Sequence, residues 1–377
     1  MIDYIVLAIP VFVLLILVEL AYSRWRGLTL CRLSDSLASM GTGIVDQLGR
    51  VILNTVFAFT AYSFVYERWA FVQLESWPAI HWVVGFVGAD FCYYWWHRKA
   101  HEVNFIWAGH VVHHQSEEYN LSTALRQSPF TALTSWFFYL PLAVLGVSPV
   151  VFAASKSFMV LYQFWLHTRA VARLARPFEA VFNSPSHHRV HHGINPRYID
   201  RNYAGTFIIW DRLFGTFEPE TEPVSFGVLK PLKSWNPVWA QLHYWSVLWQ
   251  SAASFPRWRD RVLLWLKPPG WAPEATSASI KSVYEQVRAE KYDVPVSNRR
   301  AWYLVAQFAL VLGGTTLVLF QQHDLERWQL FGAAALVFLS LVSLAALAEQ
   351  KSFARTLEGT RLFAVISFLV VVLWQRW

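Results

Sequence analysis

Apolar runs close to the roughly 20 residues needed to cross a bilayer recur along the chain, separated by short polar segments. The pattern predicts membrane spans over residues 4–22, 51–66, 79–96 and 129–147, a fifth ending at His167, then 301–320, 328–348 and 362–374. Ser148-Pro149 is too tight a joint for anything but an antiparallel hairpin between the fourth and fifth spans. Glu19, inside the first run, is costly in lipid and must face other helices or the headgroup zone. Asp46 and Arg50 form a foot for the second span, and Gly313-Gly314 marks a close-packing or kink site. The 237–250 stretch is amphipathic and Trp-studded, as for a helix lying in the membrane interface. The fold class is therefore all-α, a polytopic integral membrane helical bundle of about eight spans. Arg-rich loops follow the first, third, fifth and seventh spans, and the acidic loops 67–78 and 321–326 fall on the other side. The positive-inside rule then sets the N-terminus outside and the Arg-rich loops in the cytosol. The membrane is the endoplasmic reticulum in a eukaryote and the inner or plasma membrane in a bacterium.

Composition sharpens this. The chain has 377 residues, 55% of them hydrophobic and 15% charged, with 21 Trp and 28 Phe, which excludes a pair of ordinary soluble domains. The net charge of +7 reads as cytosolic loops and contact with anionic headgroups. No basic polar face with a nucleic-acid fold signature accompanies it, so no nucleic-acid partner is expected. Two cysteines, Cys31 and Cys92, build neither a disulfide framework nor a zinc ribbon. The first span lacks a basic leader and a cleavage site and reads as a retained helix.

Ten of the 13 histidines gather in two boxes and one stray position. HRKAHEVNFIWAGHVVHH, residues 97–114, holds His97, His101, His110, His113 and His114. HHRVHH, residues 187–192, holds His187, His188, His191 and His192, and His167 stands between them. His97 and His101 share a helix face, and the i, i+3, i+4 pattern of His110, His113 and His114 repeats in His188, His191 and His192. Neutral imidazole is the commonest protein ligand for transition metals, and ten candidates are too many for one ion. Few carboxylates accompany them, unlike soluble di-iron bundles with their Glu-x-x-His pairs, and a structural zinc site would be richer in Cys. By the span count both boxes lie on the cytosolic side. Asp90, two turns before His97, is either a helix-end charge or the acceptor that fixes a ligand tautomer. Glu102 is a ligand, bridging group, proton acceptor or solvated acid.

The order His-x3-His, His-x2-His-His, a lone His after a span, and His-x2-His-His resembles the fatty acid hydroxylase and sterol desaturase superfamily over residues 85–218. WAGHVVHHQSEEYNLSTALRQS (107–128), SPSHHRVHHGINPRYIDRNYAG (184–205), IIWDRLFGTF (208–217), LKP (229–231) and PPGWAP (268–273) look closest to its glyceryl-ether monooxygenase branch. The resemblance implies two iron ions held by His97, His101, His110, His113, His114, His167, His188, His191 and His192, with His187 a tenth ligand or a neighbour and Glu102 an essential acid. It implies O2 as oxidant, tetrahydrobiopterin or another external electron donor, and a membrane lipid as substrate. The reaction would hydroxylate the ether-linked carbon of an alkylglycerol, releasing a fatty aldehyde. The alternatives are a sterol, carotenoid or fatty acyl hydroxylase or desaturase on the same scaffold, and a non-redox metal-binding membrane protein. The chain then divides into an N-terminal membrane region (1–78), a catalytic domain (79–220), a Trp-rich cytosolic or interfacial segment (221–300) and C-terminal membrane helices (301–377).

Overall fold

A computed structural model describes residues 4–53, 56–273 and 291–374. Part of the expected interfacial segment, residues 274–290, and residues 54–55 of the expected second span lie outside the described residues. The elements are helical throughout: α1 (Tyr4–Trp25), α2 (Leu33–Ile52), α3 (Val56–Trp69), α4 (Pro78–Glu102), α5 (Asn104–His114), α6 (Leu121–Ala124), α7 (Phe130–Ser135), α8 (Leu140–Leu145) and α9 (Pro149–Leu166). Then come α10 (Arg176–Val181), α11 (Pro185–His191), α12 (Ile209–Leu213), α13 (Pro237–Ser254), α14 (Trp258–Leu266), α15 (Asn298–Gln321), α16 (Arg327–Ala348) and α17 (Ala354–Trp374).

Among the described residues, four helices are long and apolar enough to cross a membrane: α1 from Leu7, α15, α16 and α17. Large apolar side chains along them, such as Leu14, Leu317 and Phe363, face outward, as lipid requires. The second expected span is a pair, α2 and α3, bent by 56°. The fourth expected span is divided. Its Phe130–Leu145 stretch is a short apolar helix run, interrupted by the 3-10 turn Trp136–Tyr139. The last helix starts at Ala354, eight residues before the expected 362. Those eight residues carry Glu358 and Arg361, a buried ion pair bonded to Ser343 and Gln307 of the neighbouring helices. Buried charges persist when paired and hydrogen-bonded, so polarity there does not end the helix. Gly313 and Gly314 are not a packing site, because a Cβ at either meets nothing within 4 Å.

The two larger apolar cores hold most of the bundle. One joins α2, α15 and α16 around Leu48, Leu304 and Leu341. The other joins α3, α4, α8 and α9 around Tyr62, Ala89, Leu142 and Val151. Glu19 turns inward as its cost in lipid demands, accepting the Leu121 N–H at 2.7 Å and the Thr168 hydroxyl. The α8–α9 hairpin has a local cause at each end. Gly146 closes α8 at φ +104°, and Ser148 with Pro149 starts α9, the serine oxygen accepting from Val151 N–H. His81, outside the boxes, accepts the Ser148 N–H at 3.0 Å.

A side chain at Gly146 would be strained by its φ, and its Cβ would stand 2.0 Å from the Val72 carbonyl oxygen. Gly146→Ala should cost about 1–3 kcal/mol, read as a lower thermal midpoint in detergent. Gly313→Ala should leave the midpoint unchanged or raised. Equal midpoints for Gly146→Ala and the parent would refute this account of the hairpin.

Candidate metal centre

Two pairs of helical segments interleave at the end of the bundle. α4 brings His97 and His101 on one face, and α5 brings His110 and His114 on one face and His113 on another. α11 and its C-terminal residue bring His188, His191 and His192, and His167 is the residue that ends α9. The nitrogens sort into two groups, each within 4.8 Å: His97, His101, His110, His114 and His191, and His113, His167, His188 and His192. All nine rings are buried. Each box therefore serves both groups: α5 gives two ligands to the first and one to the second, and α11 reverses that share.

The hydrogen bonds fix which nitrogens point inward. His113 Nδ1 lies 2.9 Å from the Arg126 carbonyl, and His167 Nδ1 lies 2.9 Å from the Gln163 carbonyl. A carbonyl only accepts, so each Nδ1 carries the proton and each Nε2 is a bare lone pair. Those two bare Nε2 atoms stand 3.1 Å apart. Protonating a ring would relieve the repulsion, but burial drives both rings the other way, His113 down to about 4 and His167 well below its ordinary value. The same burial, with neighbouring imidazoles, holds His97, His110, His114, His188, His191 and His192 neutral. A shared metal cation would resolve the clash. Ligands about 2.1 Å from an ion and at right angles stand about 3.0 Å apart, and the observed Nε2 separations of 2.9–3.1 Å agree. The Nε2 atoms of His101, His191 and His192 are buried with no partner in the protein, which fits the same role.

Three expected site residues lie elsewhere. His187 belongs to neither group. It sits one turn before His191 on α11, with Nε2 4.0 Å from Glu179 and its ring against Phe217. Asp90 touches none of the histidines. It accepts the Thr206 and Phe207 N–H groups at 2.6 and 3.0 Å and the Trp210 indole at 3.0 Å. Glu102 points away from the nitrogens, paired with Arg98 at 2.8 Å and Lys99 at 2.5 Å and about one-third exposed.

The groups that orient the ligands escaped sequence reasoning because most are backbone carbonyls. His97 Nδ1 donates to Tyr203 O at 2.7 Å and His191 Nδ1 to Arg201 O at 3.0 Å. Asp200 and Asn202, on either side of Arg201, adopt left-handed backbone at φ 59° and 56°, which Asn and Asp tolerate best among side-chain-bearing residues. Buried Asp211 fixes the loop by accepting the Tyr203 and Ala204 N–H groups at 2.8 Å. Asp90 holds the next turn, so it acts on His97 through this loop. The visible signal was the Asp and Asn content of NPRYIDRNYAG. Asp200 itself stands 3.3 Å from His101 Nδ1.

An apolar chamber of about 450 Å³ runs through the bundle to this centre, past Phe12, Tyr62, Phe152 and Phe164 to His110, His113 and His167. Its wall includes one cation within α9, Lys156, whose ammonium lies 4.9 Å from the Tyr139 ring centroid. The span pattern gave no notice of it.

Metal analysis tests the sorting. The parent should bind two metal ions per chain, His97→Ala and His113→Ala about one each, and His187→Ala two. Loss of metal in the His187 variant would overturn it.

A fatty acid hydroxylase family profile matches residues 82–216, the stretch that holds every histidine of both groups. Over nearly its whole length the chain is similar to the alkylglycerol monooxygenase of Homo sapiens, at 39% identity over 95% of this chain and 81% of that protein. The enzymes of that name from Danio rerio and Xenopus tropicalis are 40% and 37% identical over 95% of this chain and 80% of theirs. No solved structure matches. With its buried histidine centre and membrane-crossing helices, the chain belongs to the alkylglycerol monooxygenase family and is a membrane lipid monooxygenase.

Proposed function

We propose that the protein is a di-iron oxygenase that hydroxylates the ether-linked carbon of alkylglycerols, with O2 as oxidant and a tetrahydropterin such as tetrahydrobiopterin as electron donor. The observation that carries this reading is the shape of the chamber. It is apolar along most of its length, and its wall includes His110 of the first group and His113 and His167 of the second. An alkyl tail lying along Phe12, Tyr62 and Phe152 sets the carbon beside its polar head near both groups. Nine imidazoles without a thiolate suit a redox metal that keeps positions for oxygen. In this reading the metal site faces the cytosol of a bundle with about eight spans, residues 79–220 form the catalytic unit, and 1–78 and 301–377 are the surrounding membrane helices.

When bound, the irons supply oxygen activation. The rest is the work of the chain. The carbonyls of Gln163, Arg126, Arg201 and Tyr203 hold Nδ1–H bonds that keep Nε2 free to bind metal. The apolar wall excludes water and aligns the substrate, which confers a large share of catalytic advantage in oriented reactions. Glu102, fixed by Arg98 and Lys99, acts as a positioning residue that steadies the α4 end bearing His101. The overall change balances as R–CH2–O–R′ plus O2 plus a two-hydrogen donor giving R–CH(OH)–O–R′, water and the oxidised donor. The hemiacetal then collapses to a fatty aldehyde and the free glycerol hydroxyl.

Purified protein should release fatty aldehyde from a 1-O-alkylglycerol only with iron, O2 and tetrahydropterin together. Hydroxylation of a sterol or acyl chain and none of alkylglycerols would replace the substrate. A zinc-loaded protein that consumes no oxygen with any lipid would end the oxygenase reading. The chamber makes a second prediction. Ala153 lines it about 21 Å along α9 from His167. Ala153→Trp should lower kcat/KM for a long alkyl chain by about tenfold or more relative to a short one. An unchanged ratio would show that the tail lies elsewhere.

A further inference from the structure

A second cavity of about 460 Å³ lies beside the four-histidine group and shares no lining residue with the apolar chamber. Its walls are mixed. Arg169, Arg189, Glu220 and Lys291 supply charge, while Val224 and Phe226 supply apolar surface. This is the size of a small-molecule site, and too small to admit a protein donor.

The inner wall leads directly to the metal centre. The Phe226 ring stacks on Tyr119, with centroids 4.8 Å apart and planes 12° from parallel. Tyr119 is fully buried and stacks in turn on His167 at 5.6 Å and 28°. Its ring also meets His192 at 5.2 Å. His167 and His192 both belong to the four-histidine group. Two aromatic rings therefore join a polar cavity to metal ligands. Both rings are fixed: the Tyr119 hydroxyl donates to Leu166 O at 3.0 Å, and the Phe226 backbone bridges to Gly193, next to His192.

The oxygenase reaction consumes two electrons that neither the lipid nor O2 provides, so a donor must approach the centre without displacing the lipid. We propose that this cavity docks that donor, a planar reduced nitrogen heterocycle, against Phe226, and that Tyr119 relays its electrons toward His167 and His192. The proposal rests on the monooxygenase reading above. A planar ring finds an aromatic face in Phe226, where offset stacking adds to simple burial. Ring N–H groups find the Glu220 carboxylate, which keeps lone pairs beyond its bonds to Arg189 at 2.8 and 2.7 Å. Ring oxygens find Arg169 and Lys291. The donor gives up two hydrogens and leaves oxidised, and one oxygen atom of O2 leaves as water. Lipid and donor thus reach the centre by separate routes.

Tetrahydropterin binding to the iron-loaded protein in detergent, measured anaerobically by calorimetry, tests the docking. Phe226→Ala should weaken binding about tenfold or more with iron content unchanged. Val228→Trp, which fills the cavity from its half-buried rim, should do the same without touching the stack. Tyr119→Leu should bind the pterin as the parent does but slow anaerobic reduction of the iron, followed by absorbance, about tenfold. Tyr119→Phe, which keeps the ring, should restore the rate. Parent-like binding in both cavity variants would overturn the docking site alone. A parent-like reduction rate in Tyr119→Leu would overturn the relay. A parent protein that binds no pterin yet releases aldehyde with another donor would instead remove the pterin from the proposed function.

Discussion

Burying nine imidazoles together is the demand on which the rest of the structure depends. A neutral ring has one donor and one acceptor nitrogen, and an unpaired buried polar atom costs about 1–3 kcal/mol. Turning every bare nitrogen toward a shared centre leaves each outward N–H in need of an acceptor. Carbonyls within a regular helix are already committed to their own ladder, so free ones come from helix ends and irregular loops. Gln163 lies in the last turn of α9, and Arg126, Arg201 and Tyr203 lie in loops. Four of the nine rings find carbonyl acceptors there, whereas Nδ1 of His110 and of His188 is buried without a partner in the protein. The same demand explains why the loops around it are buried and rich in satisfied polar groups. Arg126 donates to Val112 O at 2.8 Å, Asn202 bonds the His187 and Glu218 carbonyls, and Asp90 and Asp211 gather four backbone N–H groups between them.

The sequence made the ligands legible because spacing on a helix is a statement about faces. His110 and His114, or His188 and His192, can only point one way. Spacing said nothing of which ion each face would serve, since that depends on how α5 and α11 cross. His187 shows the limit: it stands four residues before the ligand His191, so spacing alone admits it to the same face, yet it lies one turn back and its ring packs on Phe217. Asp90 shows another. Two turns from His97 does place it on the same side of α4, but the 203–210 loop fills the space between and takes the carboxylate's acceptor capacity. Backbone carbonyls are invisible in a sequence, so the true partners of His97 and His191 could not be named.

Hydropathy gave the membrane helices at the two ends of the chain more faithfully than those around the site. α15, α16 and α17 pack on one another and keep large apolar side chains exposed along their length, and an apolar average describes them. Helices α4 and α9 carry exposed apolar side chains such as Val83 and Phe158 along their length and ligand histidines at one end, so their averages mislead. The 129–147 run is apolar enough to suggest a span. Yet it breaks into α7, a 3-10 turn and α8, with Phe130 and Thr131 against Gly109 of α5. It packs beside the helix that bears three ligands, and close support of α5 takes precedence over a straight path.

The interleaving of the groups has a consequence for reactivity. Because α5 contributes to both, the spacing of the two histidine groups is set by the pitch of one short helix, and α11 enforces it from the other side. Neither position can shift without dragging ligands of its neighbour. The chamber meets this pair at His110, His113 and His167, so in the proposed reaction one carbon would come within reach of both groups while apolar contacts farther down held its tail. A buried centre of low dielectric strengthens any charge interaction made there, and it also penalises water that would divert the oxidant. In the proposed reaction the apolar wall of the chamber, rather than a polar contact, would select for an alkyl chain, and the surrounding bilayer would supply it.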